Sequence, residues 1–207
     1  MLLAGMVSCK NNSEEIVTTP SRTFLDPHQH DSCNFTEFVY DEFEIQNIPY
    51  NQLPYITGLK EVVQRSAYDE DSIPIIKFHN EFRYHPVYIA EYALDLLDVF
   101  YTTKDSNYLN EATKNANKLA SLGIAEDSSL YLPYDFGFRM HYDYYDSMVP
   151  PWYSAMAQGL GITLFCRMYE LTGDTSFLQN SHKLFNSLIP LKGNGKKIWF
   201  SCVDKNG

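Results

Sequence analysis

The sequence is poor in basic residues, and this shortage narrows the class of protein. Of its 207 residues, 16 are Lys or Arg and 26 are Asp or Glu, which gives a formal net charge of −10. Because phosphate binding requires a concentrated basic surface, this balance argues against a nucleic-acid-binding protein. An anionic polysaccharide would have to be met by a local cluster of Arg, Lys and His.

Cysteine is also scarce and is not arranged for metal binding. None of the four residues lies in a Cys-x-x-Cys pair or has a His partner at zinc spacing, so the sequence predicts no structural zinc site. No metal ligand and no cofactor are assigned, and binding of another metal ion is left open. Cys166 is predicted to be a small buried hydrophobe. A disulfide between Cys33 and Cys202 is left open, since export would permit it but nothing in the sequence selects it.

No apolar run near the N-terminus is long enough to span a bilayer, which takes about 20 residues. The first nine residues end in Val-Ser-Cys, which resembles a bacterial lipoprotein signal with Cys9 as the lipidated residue. No Lys or Arg precedes the run, although signal peptides normally begin with a basic segment. We therefore interpret residues 1–9 as a clipped signal and residues 10–34 as a flexible tether. This predicts an exported lipoprotein, membrane-anchored in the periplasm or at the cell surface.

Aromatic residues are abundant, and helical periodicity dominates the second half of the chain. Tyr, Phe and Trp make up 15% of the sequence, which suits both a carbohydrate cleft and plain helix packing. From Pro86, a residue suited to a first helical turn, apolar residues recur mostly every three or four positions. Asp105 or Ser106 is predicted to cap the next helix.

This layout of two helices occurs twice. Thr172 follows Thr103 by 69 residues, and Leu188 follows Leu119 by the same interval. Repeated helix hairpins indicate a stacked or toroidal array, because one hairpin alone cannot bury its apolar face. We therefore predict a mainly α protein, an (α/α) toroid or incomplete barrel of helix hairpins. Minor β structure is predicted near residues 35–80 and 198–203.

Two motifs carry a family resemblance. The run from Pro150 to Gly159, Pro-Pro-Trp-Tyr-Ser-Ala-Met-Ala-Gln-Gly, is predicted to begin a helix at Trp152 after its two prolines. It resembles the signature of the C-terminal domain of the D-glucuronyl C5-epimerases. The block from Phe82 to Leu94 resembles a second motif of that family, with Glu91 where Gln is usual. The similarity covers about residues 80–200.

The resemblance implies an (α/α) toroid and inversion of polymeric D-glucuronate at C5 to L-iduronate without a redox cofactor. Such chemistry needs a base that removes the C5 proton and an acid that returns one from the opposite face. The family's acid and base lie C-terminal to the helix pairs seen here, and no residue of this chain matches them. We interpret residues 35–207 as the N-terminal part of that domain, truncated at 207. Its catalytic residues are unknown and expected beyond residue 207.

Several side chains near the two motifs are candidates for substrate contact. Rings, amides and a planar guanidinium are groups that stack on sugars and bind carboxylates, and the candidates are Tyr88, Arg139, His141, Tyr144, Trp152, Tyr153 and Gln158. Two purely structural interpretations stay open. In one, the Trp and Tyr residues are ordinary core residues; in the other, Arg139 pairs with a neighbouring Asp. His85 is predicted to be structural, with its ring capping a backbone group.

Three functions are weighed against one another. The first is a uronate C5-epimerase acting on a uronic-acid-containing polysaccharide. The second is a polysaccharide lyase of toroid fold, which begins with the same proton abstraction and then eliminates the linked sugar. The third is a non-catalytic cell-surface glycan-binding protein. A homodimer is left open.

Overall fold

Four α-helices form the scaffold of the part of the chain that the structure describes. The computed structural model describes residues 48–139, 147–189, 198 and 200. The helices are α1 (Pro86–Thr103), α2 (Ser106–Leu122), α3 (Ala155–Thr172) and α4 (Thr175–Ser187). The mainly α prediction and the two helix hairpins are thus confirmed, whereas closure into a toroid stays a prediction. None of the helices in the described ranges is long and apolar enough to cross a membrane.

The turn inside each hairpin is built in the same way. Asp105 caps α2 by accepting a hydrogen bond from the Asn107 amide at 2.9 Å, as predicted. Sixty-nine residues later, Asp174 caps α4 through the Ser176 amide at 2.8 Å. Because an N-cap carboxylate satisfies an otherwise unpaired helix amide, these two turns fix where the second helix of each hairpin begins.

Short antiparallel strand pairs fill the spaces around the helices. The pairs are β1 (Ile76–Phe78) with β2 (Glu81–Arg83), β3 (Ile124–Glu126) with β4 (Ser129–Tyr131), β5 (Pro133–Tyr134) with β8 (Trp152–Tyr153), and β6 (Phe138–Arg139) with β7 (Ser147–Met148). The first pair confirms, for residues 76–83, the β structure predicted near residues 35–80; residues 35–47 lie outside the described residues. Ile198 and Phe200 belong to no strand, and the rest of the predicted strand 198–203 also lies outside them.

The main core lies between the two hairpins. Gly161 of α3 faces α2 and α4 so closely that an added Cβ would lie 2.7 Å from a Leu184 methyl and 3.1 Å from one of Leu132. The absence of a side chain therefore sets how near α3 packs to its neighbours. Cys166 lies on another side of α3 and is exposed. The prediction that Cys166 is buried is wrong, because α1, α2 and α4 all pack against other faces of α3.

An irregular segment, residues 54–59, joins the C-terminal halves of α1 and α3. The buried carboxylate of Asp98 accepts hydrogen bonds from the backbone amides of Thr57 at 2.9 Å, Gly58 at 3.2 Å and Leu59 at 3.1 Å. Arg167, at the equivalent place in α3, donates to the Pro54 carbonyl. We call residues 54–59 the strap, because it ties the two hairpins together at one end.

Candidate functional site

The segment before α3 is a strand and a cap rather than a helix start. Trp152 and Tyr153 form β8 and pair with β5, in the register Trp152 to Tyr134. The helix begins at Ala155, where the Ser154 hydroxyl accepts from the Met156 amide at 3.2 Å. The predicted start at Trp152 is therefore wrong. Strand pairing holds the two aromatic residues in extended conformation, and the Ser that follows them is the better cap.

Trp152 is held by stacking and by its indole N–H. Its ring lies flat on the Tyr134 ring, with centroids 3.8 Å apart and planes 6° from parallel. Its Nε1 donates to the Phe136 carbonyl at 2.7 Å. The half-buried indole also stacks at 6.0 Å on Phe138, whose side chain is 40% exposed. One end of this ladder of rings therefore reaches solvent.

These rings belong to a larger group, which we call the aromatic cluster: Phe78, His85, Tyr134, Phe136, Phe138 and Trp152. Phe78 and Phe136 are 4.7 Å apart between centroids, and His85 meets the Tyr134 ring edge-on at 4.9 Å. The cluster lies where α1 and α3 both begin. The alternation of Tyr134, Phe136 and Phe138 in the sequence is the period-two signal of a strand, and it could have revealed this face.

Tyr134 connects the first turns of α1 and α3. Its hydroxyl hydrogen-bonds with the Val87 backbone amide in α1 and with the Ser154 side chain at the start of α3. The residue is 2% exposed, and burial raises its pKa to about 12. Tyr134 is therefore neutral across the physiological range and fixes the cluster in position without serving as a base.

His85 caps α1, as predicted from the sequence. Its Nδ1 accepts a hydrogen bond from the Tyr88 amide at 3.2 Å. Burial lowers the pKa of the imidazole, because desolvation disfavours the charged form. The neutral ring, protonated on Nε2, can accept at Nδ1 in this way.

Tyr88 contacts the aromatic cluster through His85, and Tyr153 follows Trp152 in β8. The Tyr88 ring meets His85 edge-on at 6.3 Å, and the Arg65 guanidinium lies 5.0 Å from its centroid. The half-buried Tyr153 packs edge-on against Tyr131 at 5.5 Å, and burial raises the pKa of its phenol. Both rings are partly accessible, so each can still contact a ligand at the rim.

Gln158 lies in the interior rather than at the surface. Its Oε1 accepts from the Leu132 amide at 2.9 Å, and its Nε2 donates to the Leu130 carbonyl at 2.7 Å and to Ser187. The residue is completely buried. Its amide is thus engaged in holding the chain around β4 against α3 and α4, and no part of it is presented to a polymer.

Two arginines lie near the aromatic cluster. Arg83 pairs with Glu81 and, at 3.3 Å, with Asp135. Arg139 follows Phe138 in β6 and is exposed. The other predicted contacts, His141 and Tyr144, lie outside the described residues. Among the residues that are described, no group of three or more His, Cys, Asp or Glu side chains is placed to hold a metal ion.

A concavity lies at the C-terminal end of α1, away from the aromatic cluster. It encloses about 530 Å³ and is lined by Asn51, Ile56, Thr57, Gly58, Tyr101 and Thr102. The helical rise separates Tyr101 from His85 by about 24 Å along α1. This lining contains no charged side chain, so it does not resemble a site for an acidic sugar, and the aromatic cluster is the stronger candidate.

Comparison with known proteins supports one family. Residues 126–201 match the family described as D-glucuronyl C5-epimerase C-terminus. No curated protein and no solved structure matches the chain. The matched stretch includes Phe136, Phe138 and Trp152 of the aromatic cluster and both helices of the second hairpin, while the motif at residues 82–94 lies outside it. The match over residues 126–201 confirms the resemblance to the D-glucuronyl C5-epimerase C-terminal domain that the Trp-Tyr-Ser-Ala-Met-Ala-Gln-Gly run carries.

Proposed function

We propose that this protein is a uronate C5-epimerase domain whose aromatic cluster binds a uronic-acid-containing polysaccharide. In the proposed reaction D-glucuronate becomes L-iduronate by loss of the C5 proton from one face and return of a proton to the other. The single observation that carries the proposal is the family match across residues 126–201. The exposed end of the aromatic cluster lies within that stretch.

The chemistry of this surface suits an acidic sugar. The Phe138 ring offers a flat apolar face for the C–H face of a pyranose ring, and the edge of the Trp152 indole lies beside it. Arg139 adjoins them with a guanidinium whose planar fork matches a carboxylate. We assign the substrate carboxylate to Arg139, because it is exposed and directly follows Phe138 in β6.

The aromatic cluster supplies binding rather than proton transfer. A general base works best when its pKa lies near the working pH. Burial moves the pKa of Tyr134 to about 12, far from that range. We propose that the acid and the base are contributed by residues outside the cluster.

Proton exchange tests the proposal directly. The full chain is incubated with a glucuronate homopolymer in D₂O, and the product is examined by NMR. Deuterium at C5 together with L-iduronate signals is the expected result. An uncharged glucan serves as the control polymer.

The two rival functions give different results in the same experiment. Ultraviolet absorbance from a 4,5-unsaturated uronate would identify a lyase. Binding without deuterium incorporation would leave a glycan-binding protein. The second outcome is the stronger rival, because the described residues supply a surface of rings and a guanidinium but no matched acid and base.

Attachment to a membrane is a separate proposal that rests on the sequence. We propose that Cys9 is lipidated after export, since it follows an apolar run and precedes a polar tract. With a basic segment and a longer apolar run added before residue 1 to complete the signal, expression in a bacterial host with a labelled fatty acid should label the wild-type chain and leave the Cys9→Ser variant unlabelled. Equal labelling of the two chains would contradict the proposal.

A further inference from the structure

The concavity at the C-terminal end of α1 combines the volume of a ligand site with polar walls. We call it the strap cavity, and it encloses about 530 Å³. Small-molecule sites in proteins enclose roughly 300–1,000 Å³. Its lining consists of Asn51, Ile56, Thr57, Gly58, Tyr101 and Thr102. Residues of the strap and of the last turn of α1 therefore meet around a space that is large enough for a small ligand.

The buried residue Asp98 holds the walls of the strap cavity in place. Asp98 is 1% exposed, and its carboxylate accepts from the Thr57 hydroxyl at 3.0 Å as well as from the Thr57 and Gly58 amides. Its backbone carbonyl accepts from the Thr102 hydroxyl at 3.2 Å. One residue thus orients Thr57, Gly58 and Thr102 before a ligand arrives, which lowers the entropy cost of binding.

Both threonine hydroxyls use their protons in these bonds to Asp98. A hydroxyl carries one proton and two lone pairs, so Thr57 and Thr102 can act toward the cavity only as hydrogen-bond acceptors. The exposed side-chain amide of Asn51 adds one donor group and one acceptor. A ligand that matches this lining must donate hydrogen bonds. An ionised carboxylate, which only accepts, is poorly matched.

The charges around the strap cavity also disfavour an anion. The Asp98 carboxylate adjoins two of the lining residues, and the last carbonyls of α1 carry partial negative charge. Two cations lie nearby, but neither lines the cavity. The Lys104 ammonium lies 4.2 Å from the centroid of the Tyr101 ring, and Arg167 donates to the Pro54 carbonyl. The lining therefore favours a neutral ligand that carries hydroxyl groups.

The internal repeat shows that this polar lining is not required by the hairpin itself. Thr103 and its equivalent Thr172 both donate to the carbonyl four residues earlier, at 2.8 and 2.6 Å. In contrast, the residues that stand 69 positions after Asp98 and Thr102 are Arg167 and Leu171. The second hairpin forms the same turn without the carboxylate and hydroxyl that shape the strap cavity, so the polar pair is an addition particular to the first hairpin.

Tyr101 completes the lining with a ring that is held from behind. It stacks on Tyr50 with centroids 4.2 Å apart and planes 19° from parallel. The Lys104 ammonium also lies over the ring. The edge and the hydroxyl of Tyr101 are therefore the parts that a ligand can contact, beside the apolar side chain of Ile56.

We propose that the strap cavity binds a neutral pyranose, whose hydroxyls donate to Thr57 and Thr102 and whose C–H groups pack on Ile56 and the edge of Tyr101. The helical rise separates this site from His85 by about 24 Å along α1, so it is distinct from the aromatic cluster. The pyranose is either a neutral unit of the polysaccharide bound at the cluster or part of a separate uncharged glycan. The site goes beyond the epimerase function and does not depend on it.

A matched pair of small sugars tests the proposal on the full chain. Methyl glucoside and methyl glucuronide differ only in the group at C6, which is a neutral alcohol in the first and a carboxylate in the second. In an amide NMR titration we expect the glucoside to shift the signals of Gly58 and Thr102. Its affinity measured at these signals should exceed that of the glucuronide about threefold to tenfold, because the carboxylate lacks a donor for this lining.

Two neighbouring threonines provide the variant and its control. Thr102→Val keeps the shape of the side chain and removes an acceptor, so it should raise the dissociation constant for the glucoside about threefold to tenfold. Thr103→Val removes a hydroxyl that does not line the cavity and should bind as the wild type does. Circular dichroism verifies that both variants are folded. Unshifted Gly58 and Thr102 signals overturn the proposal, as does an equal loss of affinity in the two variants or tighter binding of the glucuronide.

A polymer in which glucuronate alternates with a neutral sugar distinguishes the two sources of the pyranose. Weaker binding of this polymer by both Thr102→Val and Arg139→Ala would show that one chain occupies both sites. Weaker binding by Arg139→Ala alone, with the glucoside result intact, would assign the cavity to a separate glycan. Either result supports the site. Absence of deuterium exchange at C5 would count against the epimerase function alone, because the glucoside titration involves no catalysis.

Discussion

The indole of Trp152 lies flat on the ring of Tyr134, 3.8 Å between centroids, while the Tyr134 hydroxyl joins the first turns of α1 and α3. A residue that faces a candidate ligand surface is thus supported from behind by the residue that sets the spacing of two helices. Rigid support of this kind is what a binding site requires, because a side chain already held in place loses little entropy when a ligand binds.

Two substitutions at Trp152 divide its stabilising interactions. Trp152→Phe keeps a ring on Tyr134 and removes the N–H donor to Phe136, so we expect a loss of about 1 kcal/mol in the free energy of unfolding. Trp152→Ala removes the stack as well and should cost about 3 kcal/mol. Urea denaturation measures both. Equal losses would show that the stack contributes nothing beyond the hydrogen bond.

Gln158 is predicted to act through stability rather than through sugar binding. Gln158→Leu would leave the Leu132 amide and the Leu130 carbonyl buried without partners, which should cost about 2–4 kcal/mol. Gln179, exposed on α4, provides the control substitution Gln179→Leu, with an expected change within about 0.5 kcal/mol. A folded Gln158→Leu variant with unchanged stability and weakened polymer binding would instead assign Gln158 to the ligand.

Stability should fall with acidification through the His85 cap. Burial lowers the pKa of His85 in the folded state, so below the unfolded value of about 6.5 the unfolded chain binds a proton that the folded chain resists. Stability conferred by the neutral ring is therefore complete above that pH and declines as pH falls toward the folded pKa. Protonation at Nδ1 would also break the bond from the Tyr88 amide.

The His85→Asn substitution separates titration of the His85 ring from its role as a helix cap. His85→Asn keeps a capping acceptor that does not titrate, so its free energy of unfolding should change less between pH 7.5 and pH 5.5, values chosen to bracket about 6.5. His182→Asn, on the exposed side of α4, should retain the wild-type dependence. If all three chains show one pH profile, His85 is not the titrating group.

Polymer binding should depend on Arg139. Arg139→Ala is expected to weaken affinity for a glucuronate polymer roughly threefold to tenfold and to reduce its salt dependence, because one exposed charge-assisted hydrogen bond is lost. Lys60→Ala, an exposed cation away from the aromatic cluster, controls for net charge. Calorimetry or fluorescence titration measures the affinities. Equal losses in the two variants would indicate a general charge effect and remove Arg139 from the site.

The helix hairpins could be read from the sequence because their signals are local. Apolar spacing marks α1, and Asp105 and Asp174 occupy equivalent caps, so neither requires knowledge of a distant partner. The alternation of Tyr134, Phe136 and Phe138 is also local, but the pairing of β5 with β8 could not be read in this way. Each is two residues long and exists only because β5 lies beside β8, a contact that two adjacent prolines in the sequence do not reveal.

Gln158 and Cys166 show the same limit within a single helix. Residue type alone predicts that the Gln158 amide contacts a sugar and that the Cys166 thiol lies in the core. The structure buries Gln158 and exposes Cys166. What decides their burial is the number of neighbours around α3. Gln158 meets β4 and α4, whereas the side that carries Cys166 has no described helix beside it. Helical periodicity gives the faces but does not say which of them are covered.

Asp98 and Arg167 hold equivalent positions in the two hairpins but bind opposite ends of the peptide dipole in the strap. The carboxylate takes the amides of residues 57–59, and the guanidinium takes the carbonyl of Pro54. The two hairpins are consequently not interchangeable modules, although their turns are built alike. Exchanging the two hairpins in a permuted chain would place a carboxylate against the Pro54 carbonyl and a guanidinium against the amides of residues 57–59. The strap is therefore compatible with only one order of the two hairpins.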